Sequence, residues 1–150
     1  MRKDNIRDYA TEAFRYYAVC GRKTSGELMQ EVKDIIYEQT KQEVIRGGSG
    51  GYSDNTAYFA MKADDEVLDM EAEFLDIIAV GKTMKQLTPE QIKAVEIVYF
   101  TDADKELTRN DISQRVHKAA MSIPAEERTV YRWLGKARRI FARERCLRII

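Results

Sequence analysis

Arg128, Arg132, Lys136, Arg139 and Arg143 recur at intervals of three and four residues near the end of the chain. That spacing puts them on one side of a helix. Guanidinium and ammonium groups in such a row bind anionic oxygen, and guanidinium forks bind it bidentately. No other group of residues offers comparable chemistry. His117, beside Lys118, has no Ser, Cys or carboxylate partner in the pattern around it, and it reads as a surface or half-buried imidazole. Cys20 and Cys146 lie far apart and outside any Cys-x-x-Cys spacing, which argues against a disulfide framework and a zinc site. Asp64, Asp65, Glu66, Asp69, Glu71, Glu73 and Asp76 form a solvated helix face, without the loop or paired histidines that would organise a metal site. With neither a glycine-rich phosphate loop nor a nucleophile beside a base, the chain is expected to be no enzyme and to need no cofactor.

The 150 residues suit a single domain or two small ones. The formal net charge is zero, yet residues 105–150 hold twelve Lys or Arg against five Asp or Glu, a net of +7. Residues 1–104 carry the balancing −7. A polyanion is therefore the expected partner of the C-terminal segment alone. No apolar run reaches membrane-spanning length, and the opening MRKDNIRDYATEAF lacks the apolar stretch of a signal peptide. A cytoplasmic protein without membrane contact is the expectation.

Helical periodicity runs throughout, and no strand is required. A first helix over about 5–19 carries Ile6, Tyr9, Ala10, Ala13, Phe14 and Tyr17 on one stripe. A second, capped by Thr24 or Ser25, carries Leu28, Val32, Ile35, Ile36 and Val44 up to the glycines of GGSGG. Beyond these, Asp54 or Asn55 caps a long helix with Ala60, Ala63, Val67, Met70, Phe74 and Ile77 in a heptad seam, widened by Leu68, Leu75 and Ile78. The seam suits an intramolecular core helix first and a homodimer through residues 57–81 second. Thr88, Pro89 and Gln91 then open a helix with a capping box, Thr108 and Asp111 open another, and Pro124 is expected to begin the last. In that last helix Val130, Trp133, Leu134, Ala137, Ile140 and Phe141 form the inward stripe. The expected fold is all-α: an N-terminal helical pair (1–46), a flexible glycine-rich linker (47–56), a long connecting helix (57–86) and a C-terminal three-helix helix-turn-helix module (87–150).

Two short helices joined by a turn, the second basic on its outer side, are the parts of a helix-turn-helix that reads double-stranded DNA. The side chains expected to meet DNA are Thr108, Arg109, Glu127, Arg128, Thr129, Tyr131, Arg132, Lys136, Arg139 and Arg143. Arg138 and Arg145 continue the cationic run, while Trp133 reads as core in preference to a stacking platform.

The segments LTPEQIKAVEIVYF, LTRNDISQRV and ERTVYRWLGKAR together resemble the region 4 helix-turn-helix of bacterial sigma factors. More closely, they resemble the RinA- and ArpU-type phage late-gene regulators, which show a similar ERT-x-YRW-x-KKA run. SDNTAYFAM is similar to the SDPTA lead-in of that family, with Asn55 where the family has proline, and HKAAMSIPAEE is slightly longer than the family's turn. The resemblance covers roughly residues 53–145. It implies a sequence-specific DNA-binding regulator of phage or prophage transcription, acting in the cytoplasm of a bacterial host, with RNA polymerase as a second candidate partner. Two alternatives share the same parts: a small-terminase-like DNA-packaging protein, and a sigma-like module that binds polymerase without reading DNA.

Overall fold

A computed structural model describes residues 5–47 and 52–147, leaving the central glycines of GGSGG outside the described residues. The protein is all-α, and no strand occurs among the described residues. Among the described residues seven α-helices run in order: α1 Asn5–Val19, α2 Ser25–Gly47, α3 Tyr52–Asp69, α4 Glu71–Lys85, α5 Pro89–Val95, α6 Asp111–Ser122 and α7 Glu127–Glu144. A π-helical turn, Glu96–Phe100, extends α5. None of the described helices is long and apolar enough to cross a membrane.

The chain divides into two compact units, one of Met1–Arg22 with Asp76–Ile150 and one of Lys23–Leu75. This differs from the expected N-terminal pair. Helix α1 packs on the π turn and on α7, whereas α2 packs on α3 as a helical hairpin. The reason lies in the aromatic content of α1. Phe14 is fully buried, stacked on Tyr99 at 5.5 Å between ring centroids and tilted against Phe141 at 5.8 Å. Burying such a ring contributes about 1.5–3 kcal/mol, with a further ~0.5–1.5 kcal/mol for each favourable ring pair. The chain leaves α1 through a left-handed closure at Gly21 (φ 74°), where the Arg22 N–H donates to the Tyr17 carbonyl at 2.9 Å. Arg15 of α1, almost wholly buried, holds the loop that follows the π turn by donating to the carbonyls of Asp102 and Lys105.

The expected long helix over 57–86 is two helices. The chain breaks at Met70, whose N–H is shared between the carbonyls of Glu66 and Val67, both at 3.2 Å. Of the expected linker, Gly47 belongs to α2 and residues 52–56 belong to α3, while 48–51 lie outside the described residues. Asp54 and Asn55 thus lie within α3 and do not precede it as caps. Thr24 caps α2, accepting from the Glu27 N–H at 3.3 Å. The box at α5 is complete: Thr88 accepts from the Gln91 N–H, and the Gln91 side chain accepts from the Thr88 N–H at 3.0 Å.

One hydrophobic core fills the larger unit, joining α1, α4, α5, α6 and α7 through Phe14, Val80, Val95, Val98, Val116, Val130, Leu134 and Phe141. It sets the angle of α7.

Candidate nucleic-acid interface

Helix α7 follows α6 after a four-residue turn, 123–126. Pro124 lies in that turn instead of opening the helix. The Ala125 N–H donates back to the Ala120 carbonyl at 3.0 Å, and extended Glu126 (φ −76°, ψ 146°) takes the N-cap position, so the first helical residue is Glu127. Upstream, α6 begins at Asp111 after Asn110 in a left-handed conformation (φ 72°), which asparagine tolerates well. Asn110 therefore takes the N-cap position expected for Thr108, with no side-chain cap, and of the expected box only the bond to the Asp111 carboxylate forms. The Thr108 N–H donates to the Asp111 carboxylate at 2.7 Å, and this bond, received by an exposed carboxylate, holds the Asp111 pKa below its ordinary value.

The inner face of α7 is Val130, Leu134, Ala137, Ile140 and Phe141, all buried as their spacing predicts, with Trp133 half-buried against the same core. At about 100° per residue, Arg128, Arg132, Arg139 and Arg143 fall within about 60° of one another, on the opposite side. All four are exposed. Lys136 and Thr129, both half-buried, border this ridge on one flank. Tyr131, 41% exposed, borders it on the other, where it joins Leu134, Tyr99 and Arg138 around a cavity of about 390 Å³ against Arg7 and Thr11 of α1. Among the described residues, none of Arg128, Arg132, Lys136, Arg139 and Arg143 enters a hydrogen bond or an ion pair; their charge is available to a ligand. From Arg128 to Arg143 the ridge is about 22 Å long, and a helix of this diameter fits a major groove about 12 Å wide.

Not every cation of the run joins the ridge. Arg138 donates to the Tyr99 hydroxyl at 2.7 Å, and Arg145 donates from Nε to Asp76 Oδ1 at 2.8 Å. Both lie at the border of the buried stripe, so their forks turn inward. Tyr9 completes the second contact, donating to the same carboxylate at 2.8 Å and accepting from Arg145 at 3.3 Å. Partial burial, followed by the neighbouring Asp76 carboxylate, raises the Tyr9 pKa above its ordinary value, and the same carboxylate raises that of Arg145. Arg115 on α6 is likewise internal, donating to the Val98 carbonyl at 2.9 Å.

Glu127 is engaged within the protein. Its Oε1 lies 2.6 Å from His117 Nδ1, across the turn, so the carboxylate expected to face DNA instead ties α6 to the start of α7. Thr108 and Arg109 are exposed before α6, and among the described residues no hydrogen bond or ion pair joins either side chain to the ridge. Gly135, near the middle of α7, is a residue that periodicity passed over. A Cβ there would meet only the Arg138 and Arg139 guanidinium ends, at 3.6 Å each.

Compared with protein-family models, curated proteins and solved structures, the chain finds no match.

Proposed function

We propose that the protein binds double-stranded DNA sequence-specifically through α7 and regulates transcription, in the manner of the phage and prophage regulators that its C-terminal segments resemble. The observation that carries this reading is the ridge of Arg128, Arg132, Arg139 and Arg143, four exposed cations without internal partners on a helix whose other face is locked into the core. A merely solvated helix face would not require cations alone along its length. The ridge also belongs to the unit that holds the charge excess. Met1–Arg22 with Asp76–Ile150 contains twenty Lys or Arg against thirteen Asp or Glu, a net of +7. Arg128 and Arg132, in the early turns, are suited to base edges in the major groove, and Arg139 and Arg143 to phosphates.

Selection of random duplexes by the purified full-length protein tests this reading, with a recovered sequence motif as the expected result. Arg132→Ala then weakens binding to the selected site by about 1–3 kcal/mol while leaving random DNA little affected. Arg143→Ala weakens all sequences alike and lowers the slope of log affinity against log salt by about one. Equal losses on selected and random DNA would remove Arg132 from base reading. No retardation of any duplex at low ionic strength would overturn DNA binding altogether.

A further inference from the structure

The hairpin unit, Lys23–Leu75, holds five Lys or Arg against twelve Asp or Glu, a net of −7. The seam expected over residues 60–77 is turned inward on α3 and the start of α4: Ala63 and Phe74 are buried, Val67 and Met70 half-buried, and only Ala60 is exposed. A second heptad row is left outside. Met61 and Leu68 on α3, and Leu75 on α4 beyond the break at Met70, stand seven residues apart and are 60%, 67% and 42% exposed. Isolated exposed apolar residues are ordinary, but three large ones spaced by seven residues along α3 and the start of α4 make an apolar strip that a partner helix can cover.

The charges beside this row decide what can cover it. With Met61, Leu68 and Leu75 at a positions, the d positions hold Asp64 and Glu71, and Asp65 and Asp69 lie on the other side; all four carboxylates are exposed. A second copy of the same row would place these carboxylates in a shared seam against one another, where like charges are unfavourable and desolvation adds to the cost. An anionic membrane surface is repelled for the same reason. A helix bearing lysine or arginine beside its own apolar row meets both requirements.

We propose that α3 and the start of α4, through Leu75, dock a basic amphipathic helix of a partner protein, with Met61, Leu68 and Leu75 as apolar anchors and Asp64, Asp65, Asp69 and Glu71 as the charged rim. This surface is independent of the DNA-binding reading.

The test uses full-length protein and a labelled helical peptide of about three heptads, with one leucine row flanked by lysines. Two control peptides are the glutamate counterpart and a lysine peptide whose leucines are replaced by serine. Binding of the first peptide alone is expected, with Leu68→Ser weakening it about tenfold or more. The double change Asp64→Lys and Glu71→Lys is expected to shift preference toward the glutamate peptide. Because Leu68 is exposed, the Leu68→Ser protein should melt like the parent, which separates lost docking from lost folding. Equal binding of the serine-substituted peptide would reduce the surface to diffuse electrostatics and overturn the proposal. So would failure of the basic peptide to bind, or self-association of the protein that Leu68→Ser abolishes.

Discussion

The larger unit surrounds Phe14, Tyr99 and Phe141 with a continuous core, while the hairpin unit has only Leu28, Ile36, Ala63 and Phe74 as buried apolar residues among its described side chains. Charge follows the same division, +7 for the first and −7 for the second. The contrast shows two ways of presenting a surface. In the larger unit a deep core fixes one helix so that its cations stand in a defined row, which is what preorganised recognition of a regular polyanion demands. In the hairpin two helices bury one stripe on each other, and the apolar residues left over lie outside in a carboxylate frame. Removing a core leucine from the first and an outer leucine from the second should therefore have very unequal consequences.

Leu134→Ala, at 1% exposure, is expected to destabilise the larger unit by about 2–5 kcal/mol, whereas Leu68→Ala in the hairpin should change stability by less than about 0.5 kcal/mol. Chemical denaturation of both variants measures the difference, and similar losses would erase the contrast between a deep core and a thin one. The next largest effect concerns the junction of α1, α4 and α7. Asp76→Ala leaves the half-buried Arg145 and the Tyr9 hydroxyl without their shared acceptor and should cost about 1.5–3 kcal/mol. The same site sets an alkaline dependence. The folded chain retains the Tyr9 proton above the ordinary value of 10.0, so this contribution to stability is complete below that pH and is lost as pH rises through the raised value. Stability measured across the alkaline range should fall less steeply in Asp76→Ala than in the parent, and identical slopes would remove Asp76 as a cause. The smallest expected effect is favourable. Gly135→Ala should stabilise α7 by about 0.5–1 kcal/mol, since the added methyl makes only ordinary contacts with two flexible side chains. A lower melting temperature in this variant would mean that the helix is more tightly constrained at Gly135 than its surroundings indicate.

Much of the fold can be read from local rules. Thr88, Pro89 and Gln91 announce the start of α5 because a capping box is satisfied within four residues. Val130, Leu134, Ala137, Ile140 and Phe141 identify the buried face of α7 because helical spacing alone brings them together. The same spacing places Arg128, Arg132, Arg139 and Arg143 on the face left over. Other features escaped because their causes lie at long range. Periodicity cannot distinguish a cation at the edge of a buried stripe from one on the open face, so the inward turn of Arg138 and Arg145 depends on Tyr99 and Asp76 arriving from other helices. Glu127 belongs with His117 only because the turn over 123–126 brings α6 back beside it. Pro124 carries a valid helix-start signal, but the preceding helix extends its hydrogen bonding into the turn and delays α7 to Glu127.

Residue order by itself determined the helical class, the capping of α5, the inner stripe of α7 and the row of cations opposite it, because each depends on side chains within a few turns of one another. Tertiary structure alone decided that α1 joins the C-terminal helices while α2 pairs with α3, that Met61, Leu68 and Leu75 remain outside, and which arginines stay available. Those outcomes depend on which apolar faces cover one another across tens of residues, and an amphipathic stripe records that it must be buried without recording by what.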